Sequence, residues 1–271
     1  MTAITSSVLQ DGVRLSYNDI GDGPTLLFHQ GFGLTRRVWE PLVNELVGSY
    51  RCVTFDPRGH GVSDAPDSGT TVERLAKDLG ELAGNLDLND VTLVGHSLGG
   101  AAALTAIANQ KPGGRFSRLV LVGAAVPSYV RRDGQPFGAP QEHFEQLLHA
   151  IGNDLEGTVE QTLGVFFHQT DPKQARHILS ETLAMRRDVA TELFASLAEV
   201  DLAPRLADVH APVLALWGAH DLMSDPRWVT WFRDRGLPNW DTQTLPNSGH
   251  GAMVDEPVEL ALRIHKFIDR H

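Results

Sequence analysis

The stretch Val91-Thr92-Leu93-Val94-Gly95-His96-Ser97-Leu98-Gly99-Gly100 decides the fold. An apolar run stops at Gly-x-Ser-x-Gly and a helix-forming run, Ala101 to Ala108, follows at once, which reads as strand, sharp turn and helix with a serine at the apex. A nucleophilic serine must stand clear of its own backbone. The turn is therefore tight, and Gly95 and Gly99 occupy places where side chains would keep strand and helix apart. At average glycine and serine usage the bare pattern arises by chance in on the order of one chain in ten of this length. Its strand-turn-helix setting supplies the rest of the signal.

Outward from this elbow, short apolar runs at Leu26 to Phe28, Cys52 to Phe55, Leu119 to Val122, Val213 to Trp217 and Thr242 to Leu245 read as further strands, several apolar on both faces as parallel strands require. Between them lie helical patterns. Trp39 to Val47 is one; Thr71 to Leu86 is another, opened by Thr70-Thr71-Val72-Glu73 as a capping box; Asp255-Glu256-Pro257 opens a last helix ending near Ile268. Val8 to Asp19 reads as a hairpin about Asp11-Gly12. The alternation predicts an α/β fold, a mostly parallel sheet with helices on both faces.

From Ala124 to His210 no strand pattern occurs, and four helices are expected, roughly Gln141 to Ile151, Leu155 to Phe167, Pro172 to Leu183 and Asp188 to Val200. The expected organisation is a core of residues 1–124 and 211–271 interrupted by a helical cap, 125–210. Pro127, Gly134, Pro136, Gly138 and Pro140 give its start the composition of a hinge. Of its apolar residues Phe144, Leu147, Leu148, Ile151, Leu163, Phe166, Phe167, Phe194 and Leu197, most are expected to pack helices onto the core and the remainder to line an apolar pocket.

The 271 residues carry a formal charge of -11, which disfavours nucleic acid and anionic membranes as partners because both attract basic surfaces. The only cysteine, Cys52, lies inside an apolar run and reads as a buried small hydrophobe; no disulfide within the chain is available. Met1 to Asp11 lacks a basic region followed by an apolar stretch, and nowhere do 18 consecutive apolar residues occur, so a cytoplasmic location is expected. There is no Gly-x-x-x-x-Gly-Lys-Ser/Thr and no His-Glu-x-x-His, and Gly-x-Gly-x-x-Gly is absent from the elbow. No cofactor and no metal are implied.

A serine hydroxyl is a poor nucleophile at neutral pH, so a histidine must take its proton and an acid must hold that histidine in the right tautomer. Of 12 histidines, His250 stands out, because Pro246-Asn247-Ser248-Gly249-His250-Gly251 follows the last strand and precedes the last helix. For the acid, Asp221 ends Leu216-Trp217-Gly218-Ala219-His220-Asp221, just past the edge of the preceding strand. Asp225 is its rival, but it fits better as a helix N-cap before Pro226. His96 reads as packing or loop support, His60 as a brace for the Arg58 turn, and His29 and His220 are not assigned.

With Ser97, Asp221 and His250 in that order, the chain resembles the α/β-hydrolase superfamily over nearly its whole length. Gln30-Gly31-Phe32-Gly33 with Trp39 is similar to its oxyanion loop, and Phe55-Asp56-Pro57-Arg58-Gly59-His60-Gly61-Val62-Ser63-Asp64 to the turn after the next core strand. The superfamily usually has His-Gly where this chain has Gln30-Gly31. The resemblance implies an oxyanion hole made by the backbone N–H groups of Phe32 and Leu98, and a pocket drawn from Phe32, Trp39, Phe144, Phe166 and Phe167. The stretch Arg118 to Arg132, with Leu121-Val122-Gly123-Ala124-Ala125-Val126-Pro127, is most similar to small bacterial esterases, including those called cofactor-free haloperoxidases. A serine at the elbow argues against halide displacement and epoxide opening, which use an aspartate there. The expected activity is hydrolysis of a carboxylic ester or lactone, of a small molecule with an apolar or aromatic group, through an acyl-enzyme. Perhydrolysis, carbon-carbon bond hydrolysis and a slow-turnover receptor or signalling role remain the alternatives, and the oligomeric state is open.

Overall fold

A computed structural model describes residues 5–111 and 113–271, so the first four residues of the Met1 to Asp11 stretch and of the expected core lie outside the described residues. The strands are β1 (Ser6–Val8), β2 (Arg14–Ile20), β3 (Thr25–His29), β4 (Arg51–Phe55), β5 (Val91–His96), β6 (Phe116–Val122), β7 (Val213–Gly218) and β8 (Trp240–Leu245). They form one sheet in the order β1-β2-β4-β3-β5-β6-β7-β8. β1 and β2 are the expected hairpin, with Val8 opposite Arg14, and β2 pairs antiparallel with β4; every later pairing is parallel.

Alternation along each central strand feeds two cores. Leu27, Val53, Leu93, Leu121 and Ala215 point into one, while Leu26, Phe28, Cys52, Val94, Val120 and Leu216 point into the other. This is why these strands read as continuous apolar runs. The second core is closed by α1 (Glu40–Leu46); the first by α2 (Val72–Asn85) and α3 (Leu98–Asn109), which pack on each other. Burial pushes the Cys52 thiol up to about 12, so it is an inert apolar filler.

Within 125–210 lie α4 (Gln141–Asn153), α5 (Leu155–Thr162), α6 (Pro172–Ser180) and α7 (Arg187–Ser196), and a single bridge, Val130 to Ala139, is the only strand-like pairing among the described residues there. The chain then returns through α8 (Trp228–Asp234), α9 (Ala252–Asp255) and α10 (Pro257–Ile268). Two local expectations are corrected. The cap of α2 is Thr71, whose hydroxyl accepts from Arg74 N–H, and Glu73 accepts from the Asn109 side chain, so the reciprocal box from Thr70 does not form. The helix expected to reach Phe167 stops at Thr162; Phe166 and Phe167 lie in the following turn. No helix among the described residues is long and apolar enough to cross a membrane.

Candidate active site

All the loops of interest leave the carboxyl ends of parallel strands, where ligands of open α/β sheets bind. Ser97 follows β5 with φ 52° and ψ −122°, a backbone conformation that holds its side chain proud of the turn. The flanking glycines serve different neighbours. A Cβ on Gly95 would lie 2.7 Å from Gly100 Cα, in the first turn of α3, whereas one on Gly99 would lie 2.3 Å from the His29 carbonyl and 2.4 Å from that of Gln30. Gly99 therefore admits the loop after β3 and not, as its spacing suggested, strand β5. The elbow is pinned by Ser97 N–H donating to Val122 O and by Ala125 N–H donating to Ser97 O, at 3.1 and 3.0 Å.

Asp221 and His250 come from the loops after β7 and β8, which are adjacent in the sheet. The Nδ1 of His250 lies 2.9 Å from Asp221 Oδ2, with both residues buried. The other carboxylate oxygen accepts from the backbone N–H of Met223 and Ser224, each at 2.8 Å, so the carboxylate cannot rotate freely. Ser97 and His250 border the same cavities, although no hydrogen bond joins them among the described residues. Such contacts tighten in substrate complexes. Asp225 takes no part: both its oxygens hold the Arg227 guanidinium, and Oδ1 also accepts Arg227 N–H just before α8.

Four side chains hold the loops around Ser97 in place. Gln30 donates through Nε2 to Leu34 O at 3.3 Å and Phe55 O at 3.1 Å, so the glutamine at the start of the loop 30–35 pins it to its own turn and to β4. His60 accepts the Gly33 N–H through Nε2 (3.2 Å) and donates from Nδ1 to Arg58 O (3.0 Å), bridging this loop to the turn it was expected to brace. His29 donates to Gln30 O, and His96 Nε2 donates to the carbonyl of His250. Burial lowers the pKa of all three histidines, to about 4 for His29, so each is a neutral scaffold. The N–H groups of Phe32 and Leu98 donate to no protein acceptor among the described residues.

Two cavities meet at Ser97 and His250. The smaller, about 100 Å³, is apolar and walled by Phe32, Leu147, Ile151, Leu155, Val159 and Phe166 among others. The larger, about 540 Å³, opens between residues 123–139 and 221–228. Of the expected pocket residues Phe32 and Phe166 line the smaller cavity; Trp39, Phe144 and Phe167 do not. Trp39 is fully buried between Phe28 and His96, Phe144 stacks behind Phe194 with centroids 5.3 Å apart, and Phe167 packs on Gly251 and Phe166. Leu155 and Val159 were missed, although Leu155, Val159, Thr162 and Phe166 recur at helical spacing.

The smaller cavity is tied to the histidine loop. Phe166 O accepts from His250 N–H (2.8 Å) and Gly251 N–H (3.1 Å), while the Asp255 carboxylate gathers the N–H groups of His168, Gln169, Thr170 and Gly249 and the Thr170 hydroxyl. Glu256 holds Asn247 and Ser248 from the other side. Nearby, His220 stacks flat on His168 at 3.6 Å, exposed and outside both cavities. Among the described residues no group of three or more His, Cys, Asp or Glu is placed to hold a metal ion.

This sheet order and elbow define an α/β-hydrolase, and residues 26–263 match the model of the alpha/beta hydrolase family; the chain belongs to that family. Among its relatives are the AB hydrolase superfamily protein YisY of Bacillus subtilis (strain 168), 28% identical over 260 residues, covering 95% of this chain and 96% of the relative. A non-heme chloroperoxidase of Streptomyces lividans is 30% identical over 231 residues, covering 82% of each chain. An esterase from Exiguobacterium antarcticum superposes with a TM-score of 0.92 at 25% identity, over 98% of this chain and all of its own (100%).

Proposed function

We propose that this protein is a serine hydrolase that cleaves carboxylic esters or lactones of small molecules, with Ser97, His250 and Asp221 as its triad. The observation that carries the reading is the fixed 2.9 Å contact of Asp221 with His250 Nδ1, whose partner oxygen is held by two backbone N–H groups, beside a serine on a strained elbow. With Nδ1 protonated, Nε2 is left to accept the Ser97 proton. Ser97 Oγ then bonds to the substrate carbonyl carbon, and the N–H groups of Phe32 and Leu98 stabilise the oxyanion; each such donor is worth roughly 2.7–4 kcal/mol in comparable sites. His250 returns the proton to the departing alkoxide, and water attacks the acyl-enzyme by the same route.

The small apolar cavity beside Phe32 and Leu98 suits a short acyl chain, and the larger cavity the alcohol. We read residues 125–210 as the cap of a core formed by the rest of the chain. The esterase named above supports ester chemistry. The chloroperoxidase relative supports a second reading, in which hydrogen peroxide replaces water and the acyl-enzyme is released as a peracid. Gly33 weighs against a proline-type oxyanion loop, since its φ is +74° and its N–H is donated to His60.

The test is hydrolysis of p-nitrophenyl butyrate by the wild type and Ser97→Ala. The variant is expected to lose all but background turnover; retention of the wild-type rate would remove Ser97 from the chemistry. Adding hydrogen peroxide and assaying peracid separates the second reading.

A further inference from the structure

Arg131 and Arg132 on the loop 128–139, and Arg227 beside it, border or flank the larger cavity, and they differ in what they hold. Arg132 is structural: its guanidinium donates to Ala198 O, Val200 O and Ser128 Oγ, fastening the loop to the turn after α7. Arg227 is neutralised by both oxygens of Asp225 and lies over the Phe137 ring at 4.5 Å. Arg131 lines the cavity, is exposed, and among the described residues its guanidinium has neither an ion pair nor a hydrogen bond.

The backbone beneath Arg131 is fixed. Its N–H donates to Ala139 O at 2.9 Å, Ala139 N–H donates to Tyr129 O at 2.8 Å, and the Ser128 hydroxyl donates to Val130 O at 2.7 Å. Gly138, at φ +104°, immediately precedes the parallel bridge of Ala139 with Val130, and a Cβ there would come within 3.0 Å of Arg131 N and Tyr129 O. The acidic groups bordering the cavity are Asp221 and Asp225, and both are engaged, by His250 and the 223–224 N–H groups and by Arg227. A loop fixed by these contacts thus presents an uncompensated guanidinium to the cavity that Ser97 also lines. In a chain of net charge -11 such a cation stands out locally.

We infer that the larger cavity selects a leaving alcohol bearing a carboxylate, with Arg131 as the specificity-determining residue; this rests on the serine-hydrolase reading above. A guanidinium matches a carboxylate with two parallel N–H···O bonds, which a neutral group of the same shape cannot reciprocate. The small apolar cavity still takes the acyl chain.

The test uses two butyrate esters of equal shape, 4-carboxyphenyl and 4-carbamoylphenyl butyrate, with wild type, Arg131→Ala and Arg131→Glu. The quantity read is the ratio of kcat/KM for the charged ester to that for the neutral one. It is expected to fall about tenfold in Arg131→Ala and further in Arg131→Glu, through KM and not kcat, while both variants keep the wild-type melting temperature. A ratio that is the same in all three proteins overturns the assignment of Arg131 and leaves the serine-hydrolase reading standing. Failure of the wild type to hydrolyse either ester overturns both.

Discussion

The substitution Asp221→Asn reaches the proposed mechanism with the least disturbance of shape. Asp221 Oδ1 accepts two backbone N–H groups at 2.8 Å, so in the variant the amide oxygen must stay there; the opposite orientation would set an NH2 against two N–H donors. The amide NH2 then faces His250 Nδ1, at the place of the present 2.9 Å contact, and Nδ1 must accept. The ring proton moves to Nε2, the nitrogen required to take a proton from Ser97. The site keeps its geometry and loses its base. In a serine protease the same exchange lowers kcat about 10⁴-fold, which is about 5.5 kcal/mol of transition-state stabilisation at about 1.36 kcal/mol per decade. The assay is kcat for p-nitrophenyl butyrate at neutral pH, with ring ¹⁵N shifts of His250 reporting the tautomer and Asp225→Asn as the comparison. If kcat of Asp221→Asn stays within tenfold of wild type, or Nδ1 remains protonated, Asp221 does not orient the base.

Two further outcomes follow from contacts around the site. Asp255→Ala strands the Gly249 and Thr170 N–H groups, which are partly buried, along with the more exposed ones of His168 and Gln169. With the exposed pair discounted for water, the loss is about 3 kcal/mol in chemical denaturation, with a fall in kcat as the His250 loop loosens; a loss under about 1 kcal/mol would mean the clamp is ornamental. The buried neutral histidines make stability depend on acid. His29 titrates at about 4 when folded against 6.5 in a free side chain, so the unfolded chain binds the proton first. Stability is complete above 6.5 and falls as pH drops towards 4, by about 3 kcal/mol from His29 alone, with His60 and His96 adding in the same direction. Urea midpoints across that range check it, and a flat profile would contradict burial of these rings in neutral form.

The sheet was legible because each central strand is apolar on both faces, and the elbow because its glycines and serine have one geometry to serve. Asp221 and His250 stood out as candidates because both lie in loops just past strand ends, where the fold delivers side chains to one edge, and the structure brings them into contact. What sequence did not disclose depends on contacts between distant segments. The roles of Gln30 and His60 exist only because β3 and β4 lie side by side, and that of Asp255 only because α9 meets residues 166–170. Trp39 and Phe144 have the composition of pocket residues but stand one layer behind it, a distinction set by helix rotation and not by hydrophobicity. Thr71 displaced Thr70 as the cap of α2 by one residue, the usual scale of uncertainty at a helix end.

The binding of Phe166 to the backbone of His250 and Gly251 has a consequence for how such a protein can diverge. If the smaller cavity takes the acyl chain as proposed, enlarging it means moving a wall that also carries His250, so variants there trade selectivity against rate. The loop 128–139 borders the larger cavity with no hydrogen bond to His250 among the described residues, whereas Met223 and Ser224 hold the Asp221 carboxylate that meets the histidine. On the proposed reading, a lineage can exchange one alcohol for another through changes at the exposed positions of 128–139, such as Arg131, while its acyl preference stays coupled to the histidine.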